Sequence, residues 1–166
     1  ESLEVALTLW KGIPASVRLN SRKVIALSEL ILTTGDPQLM NELIGLKDVI
    51  VNQIDQCGWA VGNIIQLIDD TDFRKDVAEA VKTYQEQLQQ EQASDSPYGV
   101  PYTPNIWGAG WNIQRFGVQQ YFYHKGWPDL TTPDFFQNAL HFILGVHPGS
   151  NNASFASGIG SKSIKV

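Results

Sequence analysis

The chain has 166 residues, 43% of them hydrophobic and 17% charged, which suits one ordinary globular domain able to bury a core. A net charge of −5 with no cluster of lysines and arginines argues against a nucleic-acid partner, and no run of about 18 apolar residues is present to span a membrane. Cys57 is the single cysteine, so no internal disulfide is expected, and Glu1-Ser2-Leu3-Glu4 does not read as a signal peptide.

Residues 1–14 have no clear periodicity, and Trp10 and Ile13 read as an anchor ahead of the first helix. That helix is expected over 15–34, with Val17, Val24, Leu27 and Ile31 on one stripe and Ile25 and Leu32 broadening it. So wide an apolar face suggests burial on more than one side. Gly35 ends the helix, Asp36 caps the next, and Pro37 takes its first position, so Thr34-Gly35-Asp36-Pro37 reads as the tight turn of an αα-hairpin. Leu39, Leu43, Leu46 and Ile50 then mark a second helix that continues towards Ile54.

Gly58 is read as a break, followed by a third helix with Trp59, Ile64, Ile65 and Ile68 as its apolar positions. Asp69-Asp70-Thr71-Asp72 reads as a capping cluster in preference to a metal site. The fourth helix has the clearest pattern: Phe73, Val77, Val81, Tyr84 and Leu88 share a face, and lysine, glutamate and glutamine fill the other. Its glutamine-rich tail, Gln85 to Gln92, is expected to fray into a loop held extended by Pro97, Pro101 and Pro104. A fifth helix is expected over roughly 106–124, ended by His124-Lys125-Gly126. A sixth starts with Thr132 as cap and Pro133 at its first position, with Phe135, Phe136, Ala139, Leu140, Ile143 and Leu144 inward. After Gly145 the chain is rich in glycine, serine and asparagine. No strand-like alternation appears, so the expectation is an all-α chain of about six helices in three antiparallel hairpins.

Within the fifth helix, Trp107, Trp111 and Arg115 follow one another at i, i+4 steps and share a face below the proline loop, which carries Tyr102. Two indoles and a guanidinium make a flat surface with polar edges, to which a sugar ring binds by stacking its C–H face and accepting N–H donors at its hydroxyls. The competing account places the tryptophans in the core and pairs Arg115 with a carboxylate. Other chemistry finds little support. His124, His141 and His147 lack the spacing and acidic neighbours of a zinc helix, so no metal is expected. Gly158-Ile159-Gly160 lacks the third glycine and the preceding strand of a dinucleotide site, and no phosphate loop is present, so no cofactor is expected. Ser154 and Ser157 sit in no nucleophile elbow, and Asn152-Ala153-Ser154 is only a formal glycosylation sequon. Acids in the second half are sparse, namely Asp95, Asp129 and Asp134, and Asp95 alone lies near the loop.

From Pro97 to Ser163 the chain resembles the catalytic domain of glycoside hydrolase family nine, the inverting cellulase-type enzymes. Val100-Pro101-Tyr102-Thr103-Pro104, then Trp107 and Trp111-Asn112-Ile113-Gln114-Arg115-Phe116, is similar to the family's proline loop and Trp-x-x-x-Arg-Tyr helix. Leu144-Gly145-Val146-His147-Pro148 with Ser154-Phe155-Ala156-Ser157-Gly158-Ile159-Gly160 is similar to its Leu-Gly-x-Asn-Pro and Ser-Tyr-x-x-Gly-x-Gly segments, with His147 in place of the asparagine. The resemblance implies an (α/α)6 toroid, of which this chain would supply about half. It also implies a secreted or periplasmic parent acting on a β-glucan-type polysaccharide. It carries a substrate-contacting role onto Trp111 and Arg115, with Trp107 and Tyr102 as further candidates. The family's Asp-Ala-Gly-Asp motif and its glutamate general acid do not occur in this sequence. Two accounts follow: part of the cleft of a glycoside hydrolase without its catalytic acids, or a self-contained, non-catalytic helical module that binds carbohydrate or protein. Under the first, the remainder of the parent domain is a partner, and exposed apolar faces are expected to self-associate.

Overall fold

The computed structural model describes residues 1–14, 17, 20–95, 99–101, 109–146, 154, 158, 159, 162 and 163, with the side chains of 92–95 and 109 left aside. The chain is all-α. Among the described residues the helices are α1 (Ser2–Lys11), α2 (Ser21–Thr34), α3 (Pro37–Ile44), α4 (Lys47–Asn52), α5 (Ile54–Ile64), α6 (Thr71–Asp95), α7 (Ala109–Gly126) and α8 (Asp134–Leu144), with a 3-10 turn at Ile65–Leu67.

Local chemistry explains most boundaries. The Asn20 side chain accepts from the N–H groups of Arg22 and Lys23 and so starts α2. Gly35, at φ 65°, ends it, and Asp36 then accepts from the N–H of Gln38 with Pro37 in the first turn of α3. The expected hairpin turn is therefore present. Asp70 accepts from the N–H of Phe73 at 2.7 Å, and the Thr132 hydroxyl accepts from the N–H of Asp134 at 3.2 Å. Gly145, at φ 73°, closes α8.

Several expectations need correction. The first 14 residues hold a helix of their own, and α2 starts at 21, not 15; Val17 lies in a bend, 42% exposed, and not on the stripe. Asn20 stops the helix from extending further back because its side chain occupies the free N–H groups. The second expected helix is split into α3 and α4 at Gly45-Leu46, and it does not reach Ile54, which starts α5. Gly58 is no break: it lies inside α5, where an added Cβ would come 2.7 Å from the Tyr123 ring. The α6 helix runs unfrayed through Gln85, which is buried and donates to Gln120 at 2.9 Å. On α8, Leu140 is 53% exposed, and Phe142 takes the buried position instead.

The packing resolves into two layers. Trp59 on α5 meets Phe122 on α7 with ring centroids 6.0 Å apart, Lys125 donates to Asn63 at 2.7 Å, and Gln66 donates to the carbonyl of Gly126 at 3.4 Å. Residue numbers rise together along this seam, so α5 and α7 run parallel. At the other side of α5, Ser21 at the start of α2 bonds Gln53 and Gln56 at 2.9 and 3.0 Å, which sets the starts of α2 and α5 at one end. The α3–α4 pair, α6 and α8 return antiparallel behind them. Tyr84 meets Tyr123 with its ring tilted at 49°, Lys47 pairs with Asp76 between α4 and α6, and Gly117 of α7 faces Ala139 of α8. Three hairpins thus stand side by side, α2 with α3–α4, α5 with α6, and α7 with α8. The main core lies between the layers and includes Val24, Leu27, Ile31, Leu43, Ile64, Phe73, Val77 and Tyr123.

The parallel seam is unusually close because glycine faces glycine. A Cβ on Gly62 would come 2.5 Å from the Phe122 carbonyl oxygen, and one on Gly126 would come 2.7 Å from the Cα of Gly62. Glycine removes the side chain that would hold the backbones apart. The buried Tyr123 hydroxyl crosses the same seam and donates to the carbonyl of Ile54.

Candidate functional site

The site is built on the first half of α7. Trp111 is 75% exposed and Arg115, one turn on, is exposed too, while Ile113 between them is buried. Helical periodicity divides the surface of α7. Tyr123 and Gln120 face α6, Gly117 faces α8, and Phe122 and Gly126 face α5. Trp111 and Arg115 occupy the side turned away from α6 and α8. A core role for Trp111 does not hold, and among the described residues Arg115 joins no salt bridge.

Two other segments are anchored at this end of α7. Val100 of the proline loop is buried in a small cluster with Ile113, Ala139 and Phe142, and Asn138 on α8 donates to the carbonyl of Gly99 at 2.8 Å. From the C-terminal side, the Ser154 hydroxyl donates to the carbonyl of Ile143 at 2.8 Å, and the N–H of Ser154 donates to the carbonyl of Lys162 at 2.8 Å. Because α8 runs antiparallel to α7, Ile143 and Phe142 stand beside the start of α7. The proline loop, the α7 start and the Ser154 segment therefore converge, although they are far apart in sequence. Trp107 and Tyr102 lie outside the described residues, as does His147.

The same side of α7 continues through Val118, exposed, to Phe122, where α5 covers it and Phe122 is half-buried against Trp59. From Trp111 to Phe122 is about 16 Å at 1.5 Å per residue. A groove of about 380 Å³ runs beside this stripe, between Gln114, Val118 and Tyr121 on α7 and Phe136, Leu140 and Ile143 on α8. Trp59, an expected apolar position of its helix, is partly buried and packs against the main core as well as on Phe122.

The acids do not assemble here. Asp129 and Asp134 follow the C-terminal end of α7, opposite Trp111, and Asp55 is exposed in the first turn of α5. Asp95 ends α6, and its side chain lies outside the described residues. His124 bonds the Thr131 hydroxyl at 2.9 Å and packs on Phe136. Among the described residues no group of three potential metal ligands occurs, and no helix is long and apolar enough to cross a membrane. The strongly shifted groups lie in the core, away from this surface. Burial pushes Cys57 and Tyr84 each up to about 12, and burial raises Tyr123 well above its ordinary value.

Comparison with known protein families, with curated proteins and with solved structures gives no match for this chain.

Proposed function

We propose that the chain is part of an inverting glycoside hydrolase of the family-nine type, acting on a β-glucan-type polysaccharide, and that it contributes substrate cleft without the catalytic acids. The observation that carries this reading is the exposed Trp111–Arg115 pair at the end of α7 to which both the Val100 loop and the Ser154 segment are tied. An exposed indole is costly to leave in water and offers a ring face to a sugar, and a guanidinium one turn away donates to hydroxyls in a fixed fork. Three hairpins whose leading helices are held side by side are consistent with about half of an (α/α)6 toroid, and the rest of that toroid would come from the parent domain. Such a parent works outside the cytoplasm, where polymeric substrate is met. Trp107 and Tyr102, outside the described residues, are further substrate-contact candidates in this reading.

A second reading, a self-contained non-catalytic helical module for carbohydrate or protein, is favoured by one feature: the core between the two layers is closed by the chain's own residues. Affinity electrophoresis in gels containing soluble β-glucan tests the sugar site common to the first reading and the carbohydrate form of the second. The chain should be retarded, and Trp111→Ala and Arg115→Ala should each abolish most of the retardation while far-UV circular dichroism stays unchanged. Migration unaffected by any soluble β-glucan would overturn the β-glucan assignment.

A further inference from the structure

We propose that the buried Gln85–Gln120 pair is a register clamp: it fixes how far α6 and α7 overlap and thereby positions the start of α7, with Trp111 and Arg115. Both side chains are 1% exposed, and the Gln85 amide donates to the Gln120 side-chain oxygen at 2.9 Å. Their buried neighbours along the two helices are largely apolar, Val81 and Leu88 on α6 and Ile113 on α7. Two facing amides can exchange two hydrogen bonds, and these exchange one. Gln85 Oε1 and Gln120 Nε2 are enclosed with no partner among the described residues. Each enclosed, unpaired group costs as much as one buried hydrogen bond returns, or more. For stability alone, an apolar pair would serve better here. A buried polar pair selects between arrangements instead, because a misplaced arrangement loses even the one bond.

The other contacts of α7 do not set this register. Tyr123 ties α7 to α5 through the Ile54 carbonyl, and small residues, Gly62, Gly126 and Gly117, make the close approaches to α5 and α8. Tyr84 meets Tyr123 as a tilted ring pair, which tolerates a displacement that breaks a hydrogen bond. A slip of α6 by one turn brings Val81 or Leu88 opposite Gln120 and strips its amide of the bond. The clamp stands ten residues before the end of α6 at Asp95 and eleven after the start of α7 at Ala109. At 1.5 Å per residue both arms are about 16 Å long, and because the helices are antiparallel they end at one level. Val100, from the connection between them, is buried against Ile113 on the α7 arm. A one-turn slip, about 5.4 Å, would part the two ends of that connection and carry Trp111 with them. What Trp111 binds rests on the proposed function; the register does not.

The test uses the 166-residue chain with Gln85→Leu, Gln120→Leu and the double variant Q85L/Q120L. Each single variant strands one buried amide and should melt several degrees below the unsubstituted chain. The double variant removes both amides and should melt at or above it, with unchanged helical circular dichroism. Its register should nonetheless be loosened. In NMR spectra of the nitrogen-labelled chain, the indole N–H signals of Trp111, near the start of α7, and Trp127, just past its end, should broaden or double. Retardation by soluble β-glucan should fall at least about threefold, in proportion to the chains out of register. Single sharp indole signals in the double variant would overturn the proposal, as would undiminished retardation. A double variant melting as low as the singles would also overturn it, by showing an ordinary stabilising contact. If no soluble β-glucan retards the unsubstituted chain, the sugar reading fails alone, and the indole signals still decide the register.

Discussion

Trp111 and Tyr123 lie on one helix, twelve residues apart, and show how exposure separates two kinds of aromatic residue. Trp111 has water on most of its surface, so Trp111→Ala should change stability by no more than about 0.5 kcal/mol. If the proposed sugar site holds, the same change should remove about 1–3 kcal/mol of sugar binding, measured by calorimetry with a soluble β-glucan oligosaccharide. Ile113→Ala, two positions on, should do the reverse: about 2–5 kcal/mol of stability lost in thermal melts, from a side chain that is 1% exposed. Tyr123 is buried with its hydroxyl bonded to the Ile54 carbonyl, and Tyr123→Phe should cost about 1 kcal/mol. Burial favours the neutral forms of Tyr123, Tyr84 and Cys57, so their folded pKa values lie above the ordinary 10.0 and 9.0. Their contribution to stability is complete below about pH 9 and falls as the pH climbs through 10 towards 12, because the unfolded chain loses these protons first. Denaturant melts at stepped alkaline pH should show that decline, and Tyr123→Phe should make it shallower.

At the scale of elements, the α5–α7 seam depends on glycine more than on any apolar residue. Gly62→Ala would drive a methyl group to 2.5 Å from the Phe122 carbonyl oxygen, and backbone cannot turn aside as a side chain can. The expected loss is about 1–3 kcal/mol or more, with the Trp59–Phe122 contact opened. Gly35→Ala meets open space, and its cost comes only from the left-handed backbone at φ 65°, about 1 kcal/mol. Comparing the two melting curves separates close approach from conformational strain, and a smaller effect at Gly62 would contradict the packing described. The same distinction explains the misreading of Gly58. A glycine in a helical pattern is read locally as a weak point, whereas here it admits the Tyr123 ring from a helix more than sixty residues away.

For the whole molecule, the expected behaviour is binding without turnover. Inversion needs an acid and a base on opposite faces of the bond, roughly 6.5–9.5 Å apart, and the second-half acids with described side chains, Asp129 and Asp134, lie beyond the far end of α7. The purified chain should therefore release no reducing ends from β-glucan, and turnover that survived Asp95→Asn would defeat the reading of a cleft without its acids. The all-α class, the turn at Thr34–Pro37, the cap at Asp70 and the inward face of α6 were legible in the amino-acid sequence, whereas the full length of α6 and the start of α8 one residue later, at Asp134, were not. Each legible feature depends on spacing and hydrogen bonding within a few residues, and such interactions are nearly complete before distant segments meet. The exposure of Trp111, the burial of Gln85, the turning-out of Leu140 and the closeness of α5 to α7 were decided by tertiary packing. Periodicity states which residues share a face, but only the neighbours that arrive from elsewhere in the chain determine whether that face is covered.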